Sequence, residues 1–101
     1  MTDLPIVCTL NPDTARTRRA ALLPGLLARA VERFELPAGY RVQFAANGDI
    51  LSAIAQTLDA ERQCCRFLRF QVTVEPDGGP IWVDLTGPAG TREFLAALLD
   101  A

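Results

Sequence analysis

The residue pattern predicts an α+β domain, a two-layer sandwich in the order βαβαββα with a four-stranded sheet covered by helices. Three features lead there. Two long stretches carry apolar residues at three- and four-residue spacing. The spacing then switches to strict alternation just after Cys64-Cys65. A turn-forming run, Pro76-Asp77-Gly78-Gly79-Pro80, separates two alternating segments as a hairpin does.

Ile6-Val7-Cys8-Thr9-Leu10 is apolar and β-branched, which predicts a first strand; it stops at Asn11-Pro12-Asp13, where Asn11 suits a helix cap and Pro12 a first helical position. From Thr14 to about Phe34 the pattern is helical, with Leu22, Leu23, Leu26, Leu27, Ala30, Val31 and Phe34 as one stripe. Pro24-Gly25 predicts a kink in it, or two short helices in series, and the arginines Arg16, Arg18, Arg19, Arg29 and Arg33 read as its solvated face. Leu36-Pro37-Ala38-Gly39 is a turn. Arg41–Ala45 follows as a strand that sets Tyr40, Val42 and Phe44 on one side.

Asn47-Gly48-Asp49 ends that strand, and Asp49 is a natural cap for the next helix. Its residues Ile50, Leu51, Ile54, Leu58, Glu61, Cys65 and Leu68 predict a buried face on which Leu51, Leu58 and Cys65 form one line. Phe70, Val72 and Val74 alternate with polar neighbours as a third strand. Ile81–Thr86 returns from the hairpin, with Trp82 on the face opposite Ile81, Val83 and Leu85 as a half-buried cross-strand partner. Gly87-Pro88-Ala89-Gly90 then enters a last helix with Phe94, Leu95, Leu98 and Leu99 along its inner edge. This loop lacks the spacing of a phosphate-binding loop.

At 101 residues, half of them hydrophobic, the chain is one domain with a single core. Its formal charge is −2, so the basic excess that nucleic-acid binders use against phosphates is missing, and we expect no nucleic-acid partner. No apolar run reaches the ~18–20 residues that span a bilayer. Met1-Thr2-Asp3-Leu4-Pro5 also lacks the layout of a secretory signal, so the expectation is a cytoplasmic protein without membrane contact. There is no histidine, which removes Ser-His-Asp, Cys-His and His-based zinc chemistry. All ten basic residues are arginine, a bias that a source genome's composition explains.

What remains is sulfur. Cys64 and Cys65 stand where the helical period ends, Glu61 lies one turn before both, and Cys8 sits near the end of the first strand. Adjacent cysteines do not form an ordinary disulfide with each other, yet their thiolates can converge on one ion. Cys64, Cys65 and Cys8 as thiolate ligands suit a soft ion such as Hg(II), As(III) or Cu(I). Zn(II) needs a fourth ligand, for which Glu61 is the neighbouring donor. Three other readings stay open. The cysteines are plain core residues; or the chain is a small homodimeric interaction module built around Trp82; or one thiol of the pair attacks and Cys8 resolves it. The last is helped by Arg62, Arg66 and Arg69 and opposed by the helix C-terminus. Binding is preferred over catalysis, and no reaction is named by these residues.

Cys8-Thr9-Leu10, the run Glu61-Arg62-Gln63-Cys64-Cys65-Arg66-Phe67-Leu68-Arg69-Phe70 and the stretch from Leu85 to Leu95 resemble a family of small uncharacterised bacterial proteins. The family's motif reads Glu-x-x-Cys-Cys-Pro-Phe, and Arg66 stands here in the place of its proline. Some members sit beside, or are fused to, MerR-type metal-responsive regulators. The resemblance therefore implies a metal or stress context and adds weight to Glu61, Cys64, Cys65 and Cys8 as a site.

Overall fold

The structure, a computed structural model of the chain, describes residues 23–99, the side chain of Cys64 excepted. Its elements run α1 (Leu23–Leu27), β1 (Glu32–Leu36), β2 (Gly39–Phe44), α2 (Ile50–Cys64), β3 (Arg69–Val74), β4 (Ile81–Thr86) and α3 (Thr91–Leu99). The four strands form one sheet in the order β1-β2-β4-β3, with every neighbouring pair antiparallel. This is the expected α+β fold, a four-stranded sheet with helices. The predicted leading strand Ile6–Leu10 and the start of the first helix lie outside the described residues.

Two hairpins make the sheet. In the second, β3 and β4 are joined through Pro76–Pro80, where Asp77 and Gly78 take positive φ and the Glu75 amide donates to the Pro80 carbonyl at 3.2 Å. The first hairpin is a departure from the sequence expectation. The helix predicted to reach Phe34 ends at Leu27, and Glu32–Leu36 is a strand paired residue by residue with β2, from Glu32 opposite Gln43 to Leu36 opposite Gly39. The two-residue connection Pro37-Ala38 decides this: it holds the segments face to face, and ladder hydrogen bonds outweigh a helical stripe with little left to pack against. The Val31 amide extends the ladder to the Gln43 carbonyl at 2.8 Å.

Alternation along the central strands separates two faces. Val42, Phe44, Ile81, Val83 and Leu85 point inward and are buried with Leu23, Leu26 and Leu27 of α1, Ile50 and Ile54 of α2 and Leu95 of α3. Trp82 lies on the opposite face, half-buried as expected, its ring centroid 6.1 Å from that of Phe34. At the β2–β4 seam the backbones come close enough that a Cβ on Gly39 would collide with the Leu85 carbonyl oxygen.

Helix α2 is rotated relative to expectation. Its buried line is Ile50, Ile54, Thr57 and Glu61, whereas Leu51 is 46% exposed and Leu58 is only partly covered. Packing into the shared core, α1 included, rather than the count of leucines, sets which face turns inward. Asp49 precedes this helix but does not cap it with its side chain, since its φ of −96° and ψ of 15° lie away from the extended conformation a side-chain cap uses. Its carboxylate instead accepts a hydrogen bond from Arg29 at 2.9 Å, so that arginine is an ion-pair partner and not simply part of a solvated face.

Candidate thiol–carboxylate site

Helix α2 delivers Glu61 to the core one turn before it ends. Cys64 is its last residue and Cys65 follows as the C-cap, with φ −107° and ψ 77°. The Cys65 amide donates back to the Glu61 carbonyl at 2.6 Å, and the Leu68 amide donates to the Cys65 carbonyl at 3.1 Å. The chain thus leaves the helix through a tight turn with no proline to stop it. Phe67 and Leu68 of this turn are buried, and the Phe67 ring meets Phe94 of α3 edge-on at 5.1 Å. The turn also sits close against the loop after β4. A Cβ on Gly87 would come within 2.9 Å of the Phe67 carbonyl oxygen and 2.5 Å of Thr91 Oγ1.

In this enclosure lies a thiol–carboxylate pair. Cys65 and Glu61 are both 0% exposed, and the Cys65 thiol donates to Glu61 Oε1 across 3.4 Å. A carboxylate out of water is costly unless hydrogen bonds or a cation compensate it. The pair is therefore more specific than four-residue spacing alone suggests.

The other predicted members are placed less fully. Cys8 lies outside the described residues, and so does the side chain of Cys64. Among the described residues no group of three or more histidine, cysteine, aspartate or glutamate side chains is gathered as a metal cluster. Arg62, expected to favour a thiolate, bonds Asp59 at 2.9 Å on the exposed side of α2, and Arg66 and Arg69 are exposed. The sequence reading missed Thr57. It shares the buried line with Glu61 and satisfies its hydroxyl by donating to the Ala53 carbonyl at 2.8 Å. Ile50, Ile54, Thr57 and Glu61 at helical spacing were the available signal.

The Glu61–Cys65 separation is that of a thiol–carboxyl hydrogen bond, and it is also near the spacing of two donors on one ion. A tetrahedral ion with a thiolate at ~2.3 Å and a carboxylate at ~2.1 Å holds its sulfur and oxygen about 3.6 Å apart, close to the 3.4 Å found here. A cleft of about 320 Å³ between α1, β1 and α3, lined by Leu27, Ala30, Val31, Arg33, Val42 and Leu98 among others, is a separate feature that neither Glu61 nor Cys65 lines.

No family model matches the chain, and neither does any curated protein or solved structure. No helix among the described residues is long and apolar enough to cross a membrane.

Proposed function

We propose that the chain binds a soft metal or metalloid ion through cysteine sulfur, with Cys65 and Cys64 as thiolate ligands, Cys8 as a third, and Glu61 as the neighbouring carboxylate. The observation that carries this reading is the buried Cys65 thiol directed at Glu61 Oε1 across 3.4 Å. A carboxylate so placed takes up the thiol proton as sulfur bonds the ion, and the thiolate so formed carries the negative charge that offsets the ion. Hg(II), As(III) and Cu(I) fit a sulfur-dominated set; Zn(II) fits if Glu61 itself coordinates. Entry is through the end of α2, where helix termini open most readily. The family resemblance adds weight to the same four residues as a site without choosing between binding and catalysis; a buffering, sensing or transfer role in the cytoplasm goes with the binding reading.

The test is a titration of the fully reduced chain with Hg(II) and with As(III), followed by native mass and by thiolate-to-metal absorption. One ion per chain is expected, with loss of the absorption band in Cys65→Ser and in Cys64→Ser. A reduced chain that takes up no ion, or a band unchanged in both variants, overturns the proposal.

A second reading, self-association through the open sheet face, is favoured by the Phe34–Trp82 pair, in which Phe34 is 42% exposed. Wild-type oligomer size compared with that of Trp82→Ala tests it, and an unchanged monomer in both sinks it.

A further inference from the structure

The sheet face away from the helices carries Glu32 and Phe34 on β1, Arg41 and Gln43 on β2, Trp82, Asp84 and Thr86 on β4, and Arg69, Gln71 and Thr73 on β3. Its charges are two of each sign: Glu32 and Asp84 against Arg41 and Arg69. At its centre Arg41 lies opposite Asp84 across the β2–β4 seam and donates to both carboxylate oxygens, Nε to Oδ1 at 2.9 Å and Nη2 to Oδ2 at 3.1 Å. The same guanidinium stands 5.9 Å from the centroid of the Trp82 ring. Its side chain is nonetheless 48% exposed. A guanidinium carries five N–H donors, so donors remain to meet a second carboxylate brought down from above.

Resting on the second reading above, we propose that this face packs on the same face of a second copy about a two-fold axis. The axis runs parallel to the strands, midway between β2 and β4, so that Arg41 of each copy meets the partner's Asp84. The charges select this register. Rotation about that axis lays β2 on the partner's β4 and β1 on the partner's β3, because the sheet order is β1-β2-β4-β3. Row by row, Arg41 falls on the partner's Asp84, Gln43 on the partner's Trp82, Phe34 on the partner's Gln71 and Glu32 on the partner's Thr73. No like charges meet. A two-fold axis across the strands through the Arg41–Asp84 row instead stacks arginine on arginine and aspartate on aspartate, an arrangement that like-charge repulsion disfavours. The interface is isologous, as a dimer of identical chains requires. Two such sheets stack about 10 Å apart. Four strands at ~4.8 Å spacing make a narrow footprint, at the small end for a specific interface, so association is modest in strength.

The experiment uses the full chain in sedimentation equilibrium over a wide concentration range, with circular dichroism to verify folding. Wild type is expected to pass from monomer to dimer as concentration rises, at lower concentration when salt is low. Arg41→Asp alone sets acid against acid across the interface, Asp84→Arg alone sets base against base, and each is expected to be monomeric. An equimolar mixture of the two variants restores opposite charges at both contacts and is expected to form a one-to-one heterodimer. No contact within either chain predicts that recovery. A mixture that stays monomeric, while wild type dimerises and Trp82→Ala does not, overturns the register and leaves the open-face reading standing. A wild type that is monomeric throughout overturns both. If either reversal unfolds the chain, Arg41→Gln replaces it and is expected to weaken wild-type association at least about tenfold; unchanged association overturns the register.

Discussion

The Cys65 thiol and the Glu61 carboxyl are held one helical turn apart, 3.4 Å from sulfur to oxygen, with neither side chain reaching solvent. They are neighbours in space because α2 continues long enough to bring Glu61 inward and stops one residue before Cys65.

The first consequence concerns reactivity. A thiol without solvent access reacts with alkylating agents only when its surroundings open. In native buffer Cys65 is expected to be modified far more slowly than in urea. Peptide mapping after a timed iodoacetamide pulse reads this directly, and equal rates in the two conditions contradict the enclosed placement.

Removing the carboxyl separates shape from chemistry. Glu61→Ala leaves a void and removes the acceptor to which the Cys65 thiol donates, at an expected cost of about 2–4 kcal/mol in urea unfolding. Glu61→Gln keeps the volume and an acceptor oxygen and is expected to cost less than half as much. The same Gln variant is expected to bind the soft ion more weakly, because an amide cannot take up the thiol proton. Equal ion affinity in wild type and Glu61→Gln rules out a role for the carboxylate.

Gly39 gives a backbone prediction. Any Cβ there meets the Leu85 carbonyl oxygen, which belongs to the ladder joining the hairpins. Gly39→Ala is expected to destabilise the chain by about 3 kcal/mol or more, a large effect for the addition of one methyl group. A loss under 1 kcal/mol, on the order of an ordinary surface change, contradicts the close approach.

A pH effect follows from Asp49. The hydrogen bond from Arg29, assisted by its charge, holds the Asp49 carboxyl below its ordinary value. Its folded-state proton affinity is thus lower than in the unfolded chain. The stabilisation is complete above the ordinary aspartate range and disappears as pH falls through the lowered folded-state value. In matched urea titrations wild type is expected to exceed Asp49→Asn slightly at neutral pH and low salt, and the gap should close on acidification. Both groups are well exposed, so added salt should close it too. A gap that widens in acid contradicts the assignment.

Much of this architecture was legible in the residues. Ile81–Thr86 alternates cleanly, Asp77-Gly78 marks its turn, and the side taken by Trp82 follows from period two alone. β1 was hidden because Leu27, Ala30, Val31 and Phe34 also satisfy helical spacing. What overrides that spacing is pairing with Gln43, Val42 and Arg41 across Pro37-Ala38, a contact no local window contains. The rotation of α2 was hidden in a similar way. Leu51 and Ile50 are equally apolar neighbours, and only the packing of the whole core decides that Ile50 is buried while Leu51 faces water. For the site, spacing placed Glu61 beside the cysteines, but the full enclosure of Glu61 and Cys65 is a result of tertiary packing that no local window contains. Cys8 belongs to the part outside the described residues, so its contribution rests on sequence.

The sheet order has a kinetic meaning. Each hairpin, Glu32–Phe44 and Arg69–Thr86, is a local unit that can close within microseconds on its own. Joining β2 to β4 is different, since it must bring together segments separated by all of α2 and β3. The late, rate-setting event of self-assembly is therefore the zipping of that central seam, and a chain caught before it would be two small ribbons tethered by a helix.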